Sequence, residues 1–190
     1  MKQNLLQIMK KIDNKQTFIN TKNLINNFDI LKKCAGNSQI MSVIKGDAYG
    51  HGIQQCSYVL QKNGCKHFYV ARLDDAINLR KNHKKKINIY LLSGTTSKEV
   101  CGYIKHYEIT PIINNLEQLE ICNKFIPNSN FVLHFDTGMN RLGIPYKDHE
   151  QVFELLKNHS IKKIKHLMTH FASSFIKLKD GDKTHQQYDK

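Results

Sequence analysis

The chain has 190 residues, of which 40% are hydrophobic, and this is enough for one domain with a substantial core. No apolar run is long enough to span a bilayer, so a transmembrane protein is not expected. The net charge is +13, but the lysines are spread along the chain without interleaved aromatic residues. We interpret this charge as a solvated surface and expect no nucleic-acid partner.

Residues 1–16 are predicted to form an N-terminal extension. Charged and amide residues interrupt each short apolar stretch there, which is not typical of a secretory signal. The five cysteines are odd in number and include no CxxC pair. Reduced thiols in a cytoplasmic protein are therefore expected.

Short apolar runs alternate with amphipathic ones along the rest of the chain. In chain order, the pattern predicts strands Gln39–Ile44 and His67–Ala71, a helix near Leu73–Arg80, strands Ile87–Leu92 and Glu108–Ile113, a helix over Leu116–Phe125, strand Phe131–Phe135, a helix over Gln151–Asn158 and strand Ile164–Met168. Such alternation indicates βα units around a parallel sheet. By itself it leaves open an eight-stranded barrel or a doubly wound open sheet, although the glycine-rich phosphate fingerprint of the latter is missing.

The segment Val43–Gly52, with the sequence V-I-K-G-D-A-Y-G-H-G, begins at the carboxyl end of the first predicted strand. In a barrel, active sites are built at this end of the strands. A lysine placed against apolar side chains can form a Schiff base with an aldehyde, and an aromatic residue such as Tyr49 can pack against a bound ring. The alternative is a surface lysine followed by an ordinary glycine-rich turn.

This segment resembles the V-V-K-A-N-A-Y-G-H-G motif of alanine racemases, with Gly46 and Asp47 as the chief departures. The resemblance implies that Lys45 holds pyridoxal 5'-phosphate covalently, with Tyr49 beside the cofactor. It also implies that Lys45 is the catalytic group that removes or returns the α-proton on the D-alanine side.

The segment His134–Gly143 follows the fifth predicted strand and resembles the D-T-G-M-x-R-L-G segment of the same family. The resemblance implies that Arg141 contacts both the cofactor and the substrate carboxylate, tasks that suit a planar, bidentate guanidinium. Two residues before the aspartate, many family members carry a lysine that becomes carbamylated and positions the arginine. His134 stands at that position, and because an imidazole cannot form the carbamate, we expect Arg141 to be held in another way.

Two weaker segments complete the resemblance. Met168–Ser174 is similar to the T-H-F-A segment of the family, which implies that His170 supports the cofactor site; a core histidine with a satisfied hydrogen bond is the alternative. Phe18–Asn27 is similar to the opening strand and helix of the family. His166 and His170 are four residues apart, but no HExxH motif or third ligand accompanies them, so no metal is expected.

The resemblance implies an α/β fold, a partial (β/α)8 TIM-type barrel with about six of the eight βα units, over residues 17–190. It further implies a cytoplasmic isomerase that interconverts L-alanine and D-alanine for cell-wall precursor synthesis. The chain is expected to lack the seventh and eighth strands and the C-terminal β domain of the family. We therefore expect a homodimer, as in the family, or a second chain that supplies the missing part.

Two alternatives remain at this level. One is a non-enzymatic, homeostasis-type barrel protein that binds pyridoxal phosphate, although such proteins lack the Tyr-Gly-His-Gly and Asp-Thr-Gly-Met-x-Arg segments. The other is a basic binding protein that inherited only the fold and would be indifferent to changes at Lys45.

Overall fold

The computed structural model describes residues 18–83, 87–158, 163–174 and 182–190. The predicted N-terminal extension, residues 1–16, lies outside the described residues. Within those residues, no helix has the length and apolar character needed to cross a membrane.

The described strands form one sheet in which every pair is parallel. They are β1 (Met41–Val43), β2 (His67–Val70), β3 (Asn88–Leu91), β4 (Thr110–Ile113), β5 (Phe131–Asp136), β6 (Ile144–Pro145) and β7 (Ile164–Met168). Neighbours follow chain order from β1 to β5, and β7 then pairs with the first part of β5. The two-residue strand β6 pairs with the last two residues of β5. This order places the carboxyl ends of all the strands at one edge of the sheet.

Helices connect the strands. They are α1 (Thr21–Ala35), α2 (Ile53–Lys62), α3 (Leu73–His83), α4 (Lys98–His106), α5 (Leu116–Phe125), α6 (His149–Asn158) and α7 (Lys183–Tyr188). Several begin at side chains that accept a hydrogen bond from an otherwise unpaired backbone N–H. Asn115 Oδ1, for example, accepts from the Gln118 N–H at 2.8 Å, and Ser97 Oγ accepts from the Val100 N–H at 3.2 Å.

The sheet has an apolar core on each face. The larger core lies between the strands and the helices and includes Phe68, Ile89 and Leu133. The smaller core contains Tyr69, Tyr90, Ile112 and Val132, which are the alternate residues of the same strands. Burial on both faces explains why the strands read as nearly continuous apolar runs.

The sheet curls around the smaller core. Tyr69 on β2 lies within hydrogen-bond distance of His166 on β7, with 3.1 Å between Oη and Nε2, although three strands separate them in the sheet order. Burial, followed by the influence of Tyr90, raises the pKa of Tyr69 to about 12, so its hydroxyl stays protonated. A flat sheet would hold these strands far apart. The contact therefore indicates barrel curvature, and the predicted partial TIM-type barrel is confirmed.

The predicted strands and helices agree with the structure to within three residues at their ends, the largest difference being the helix predicted to end at Arg80, which ends at His83. The strand predicted from Glu108 begins instead at Thr110, because Glu108 has a φ of 51°, which no extended strand can contain. Sequence analysis also missed β6, which has only two residues and therefore no alternation to detect.

Candidate functional site

A cavity of about 610 Å³ opens at the carboxyl-terminal edge of the sheet. Its walls include polar residues from the ends of β1, β4, β5 and β7: Lys45, Tyr49, Asn114, His134, Arg141 and His170. A second cavity of about 610 Å³ lies between α1 and β1, and it contains none of the candidate site residues. We therefore place the candidate site in the first cavity, which is also at the edge where barrels build their active sites.

The first wall is a left-handed turn over Lys45–Gly50. The four residues after Lys45, Gly46 to Tyr49, all have φ between 54° and 60°, and three of them are not glycine. This conformation costs about 1–2 kcal/mol for each L-residue, so the surrounding structure must hold it. Lys45 is half-buried and Tyr49 is 63% exposed, and both line the cavity. The structure shows a single helical turn of the left hand here, which the sequence analysis did not predict.

Hydrogen bonds on both sides stabilise this turn. The Ala48 N–H donates to the Ile44 carbonyl at 3.0 Å, which ties the turn to the end of β1. The Gly52 N–H donates to the Asp47 carbonyl at 2.9 Å. The Asp47 carboxylate accepts from the Ile53 N–H at 2.7 Å, which begins α2. Lys45 is thus presented by a backbone that is fixed to a strand before it and to a helix after it.

The second wall is the loop that follows β5 and carries Arg141. The Asp136 carboxylate accepts hydrogen bonds from the backbone N–H groups of Gly138 at 2.8 Å and Asn140 at 3.1 Å. Burial raises the pKa of this carboxyl, but the N–H groups of Asn140, Gly138 and Met139 outweigh that effect and lower it below its usual value. The ionised aspartate therefore folds the loop back on itself, and Arg141 is exposed at the cavity.

His134 and Asn114 form the floor between these walls, and both are buried. The Asn114 amide donates to the carbonyls of Leu92 at 2.9 Å and Ile112 at 3.1 Å, so its Oδ1 must be the atom that faces His134 Nδ1 at 2.8 Å. His134 consequently carries its proton on Nδ1. The lone pair of its buried Nε2 has no hydrogen-bond partner among the described residues. A fixed hydrogen-bond acceptor thus lies beneath the cavity.

His170 follows β7 on the far side of the cavity. Burial is the main cause that lowers its pKa, followed by the positive charges of Arg141 and Lys45. All three groups line the same cavity. His170 therefore favours the neutral form in a site that already contains two cations.

All four residues that sequence analysis selected, Lys45, Tyr49, Arg141 and His170, thus line one cavity. Sequence analysis missed Asn114, which lines the same cavity and fixes the tautomer of His134. A signal was present, because Asn114 directly follows the buried pair Ile112 and Ile113 at the carboxyl end of β4.

The described part of the chain contains no group of three or more histidine, cysteine or acidic residues arranged to hold a metal. All five cysteines are free, and four of them are buried.

Comparisons with known proteins all point to one family. The family model described as "Alanine racemase, N-terminal domain" matches residues 19–190. The alanine racemase of Rickettsia canadensis is 34% identical over 163 residues, which cover 82% of this chain and 45% of that protein. The chain therefore spans about half the length of the curated relatives it matches.

Solved structures give the same result. The alanine racemase of Acinetobacter baumannii is similar with a TM-score of 0.76 and 26% identity, over 90% of this chain and 50% of that one. The alanine racemase of Bartonella henselae, whose structure has covalently bound pyridoxal phosphate, is similar with a TM-score of 0.73 and 25% identity. That match covers 81% of this chain and 46% of the other.

Proposed function

The chain belongs to the alanine racemase N-terminal domain family, and from this premise we propose that it binds pyridoxal 5'-phosphate at Lys45 and serves an amino-acid racemase that acts on alanine. The observation that carries the proposal is the placement of Lys45, Tyr49, Arg141 and His170 around one cavity. The family favours the racemase over a non-enzymatic carrier of the same cofactor. We propose a cytoplasmic location and a role in supplying D-alanine for cell-wall precursors.

The described residues fit this cofactor. A cavity of about 610 Å³ is within the usual range for small-molecule sites. Lys45 supplies an amine for the aldehyde, and the exposed ring of Tyr49 supplies an aromatic surface. Arg141 supplies a cation for an acidic oxygen, and the unpartnered Nε2 of His134 supplies a buried acceptor. Within the proposed domain, residues 17–190, these groups lie on β5 or on the segments that follow β1 and β5.

The cofactor, when bound, withdraws electrons from the α-carbon of the amino acid. Lys45 Nζ is the group that we assign to proton removal and return at that carbon, on the D-alanine side. Arg141 binds the substrate carboxylate with a planar pair of N–H donors. Neutral His170 lies on the same cavity as Arg141 without adding a second positive charge.

Racemisation requires acid/base groups on both faces of the α-carbon. Lys45 is the group that we assign to one face. We propose that a partner subunit, or a second polypeptide with the remaining part of the relatives, serves the other face. We accordingly propose complete racemisation only for this chain together with such a partner. Proton exchange on the face assigned to Lys45 can be tested with this chain alone.

The first experiment tests cofactor binding. Purified chain is incubated with pyridoxal phosphate, reduced with borohydride and mapped by peptide mass spectrometry. We expect one adduct, on Lys45, that disappears in Lys45→Ala. Lys66→Ala is the matched control, because Lys66 is exposed and precedes β2 at the opposite edge of the sheet. An adduct spread over surface lysines, or none, would contradict the proposal.

The second experiment tests the assigned face. The chain loaded with pyridoxal phosphate is incubated with D-alanine or L-alanine in D2O, and deuterium at the α-carbon is measured. We expect faster exchange with D-alanine, and loss of that exchange in Lys45→Ala. Equal exchange of the two enantiomers would show that Lys45 does not act on one face.

A further inference from the structure

Gln187 on α7 is a buried glutamine with all its hydrogen-bonding groups in use. Its side chain is 3% exposed. Oε1 accepts from the Ala172 N–H at 2.9 Å. Nε2 donates to the His170 carbonyl at 3.0 Å and to Thr137 Oγ1 at 3.3 Å. One side chain thus contacts two loops that lie far apart in the sequence.

Those two loops carry candidate site residues. Thr137 belongs to residues 136–143, which we call the Arg141 loop. His170 and Ala172 belong to residues 169–174, which we call the His170 loop. The loops also meet directly, since Thr137 Oγ1 lies 2.8 Å from Thr169 Oγ1.

Neighbouring contacts show that this arrangement is close-fitting. A Cβ added at Gly138 would lie 3.3 Å from Gln187 Cγ, so the Arg141 loop approaches the glutamine closely. Lys190 Nζ donates to the Thr137 carbonyl at 3.0 Å. Thr184 Oγ1 accepts from the Ser173 N–H at 3.1 Å, which attaches α7 to the His170 loop independently of Gln187.

We propose that Gln187 is a positioning residue that holds the Arg141 loop and the His170 loop in one relative arrangement, and so sets the distance between Arg141 and His170 across the cavity. This inference rests on the proposed function of the site. Gln187 itself does not line the cavity and would not touch a ligand there. Its effect is to fix, before a ligand binds, two groups that must act together.

The alternative is that Gln187 only stabilises α7. The two roles differ in what a substitution changes. If Gln187 only stabilises α7, loss of its amide lowers protection throughout the chain and does not change how the Arg141 loop is placed relative to His170. If Gln187 positions the loops, the Arg141 loop becomes mobile relative to His170 while the rest of the sheet is unaffected.

The test compares three variants of the full chain. Gln187→Leu removes all three hydrogen bonds. Gln187→Glu keeps an acceptor for the Ala172 N–H but removes both donors. Gln151→Leu is the matched control, because it changes the same residue type at an exposed position of another helix, α6. Amide hydrogen exchange and the NMR titration of His170 are measured without cofactor, and the dissociation constant of pyridoxal phosphate is measured separately.

In Gln187→Leu we expect amide exchange in both loops to rise by about tenfold, while β1 to β4 remain protected. The pKa of His170 should move back toward its ordinary value, because the charge of Arg141 is no longer held near it. Gln187→Glu should keep Ala172 protected and free the Arg141 loop. Pyridoxal phosphate should still react at Lys45, with weaker affinity in both Gln187 variants and unchanged affinity in Gln151→Leu.

Unchanged loop exchange and an unchanged His170 titration in Gln187→Leu would overturn the inference. A uniform loss of protection in both Gln187 variants would overturn it as well, because it would identify a general stabilising role. Failure of the proposed function is a separate result: wild-type chain would then form no adduct at Lys45, while the exchange and titration data would still report on the two loops.

Discussion

Asn114 Oδ1 accepts a hydrogen bond from His134 Nδ1 at 2.8 Å, and this contact determines which nitrogen of a buried imidazole carries the proton. Burial lowers the pKa of His134 from 6.5 to about 4, with a further lowering by His170 and Arg141 and an opposing effect of Asp136. A neutral histidine therefore lies where the family resemblance places a carbamylated lysine. Relative to that family pattern, a negatively charged carbamate is replaced by the neutral Nε2 of His134, a hydrogen-bond acceptor whose orientation is fixed by Asn114.

The lowered pKa of His134 predicts acid sensitivity. Between pH 6.5 and about 4 the unfolded chain binds a proton at this histidine that the folded chain does not, so stability falls as the pH falls through that window. The pKa difference corresponds to on the order of 3 kcal/mol. Urea unfolding at pH 7 and pH 4.5 should therefore show a smaller acid-induced loss in His134→Gln than in wild type. His106→Gln, at an exposed position, is the control, and equal losses in all three proteins would contradict the prediction.

We expect a substitution of Arg80, which lies away from the candidate site, to lower the stability of the chain strongly. Its guanidinium is buried and donates to the carbonyls of Tyr107 at 2.8 Å, Ile87 at 2.9 Å and Glu108 at 2.9 Å. A lysine cannot reach three carbonyls in these directions. We expect Arg80→Lys to lower the free energy of unfolding by about 2–4 kcal/mol. Arg72→Lys, at an exposed arginine, should change it by less than about 0.5 kcal/mol.

Replacing glycine with alanine should change the stability of the chain in opposite directions at Gly143 and at Gly102. A Cβ at Gly143 would lie 2.8 Å from the Asp136 backbone nitrogen and 3.2 Å from His134 Cδ2, at a φ of +115°. Gly143→Ala should therefore destabilise the chain by roughly 1–3 kcal/mol and weaken binding of pyridoxal phosphate. Gly102 lies within α4 and has nothing within 4 Å of an added Cβ, so Gly102→Ala should stabilise by about 0.5–1 kcal/mol. Thermal unfolding of both variants measures the contrast, and a shift of the same sign in both would refute it.

The charge of Arg141 should influence the pKa of His170 even when no cofactor is bound. Besides burial, the charge of Arg141 lowers the pKa of His170. Arg141→Gln should therefore raise the pKa of His170 toward its ordinary value, whereas Arg141→Lys keeps the charge and should leave it lowered. NMR titration of the imidazole measures this pKa. If the two variants titrate alike, the charge of Arg141 does not act on His170.

The regular elements of the barrel were accessible from the sequence. Phe68, Ile89 and Leu133 belong to apolar runs in which both faces of a strand are buried, and such runs can be detected without knowledge of their partners. Lys45 and Arg141 were accessible because each lies in a short motif at the end of such a run. Their roles in cofactor and substrate binding remain predictions.

Other features had no local signal. The left-handed turn after Lys45 contains only one glycine among its four residues, so its hand depends on hydrogen bonds to Ile44 and Ile53 at its two ends. Gln187 lies fifty positions after Thr137, and nothing in the sequence between them indicates that they meet. The strand predicted at Ile164–Met168 is present, but Ile164 and Leu167 are exposed among the described residues.

By itself, the sequence determined the order of strands and helices, the family and the residues that lie at strand ends, because these depend on local periodicity and on short contiguous motifs. Only the tertiary structure decided that Lys45, Arg141 and His170 face one cavity. It also decided that His134 is neutral with a lone pair on Nε2, and that one glutamine joins two loops. These depend on curvature of the sheet, on burial and on hydrogen bonds between distant residues, and no local pattern encodes them. Lys45 therefore stands out in the sequence, whereas the neighbours that give it a chemical environment are brought to it only by the curvature of the sheet.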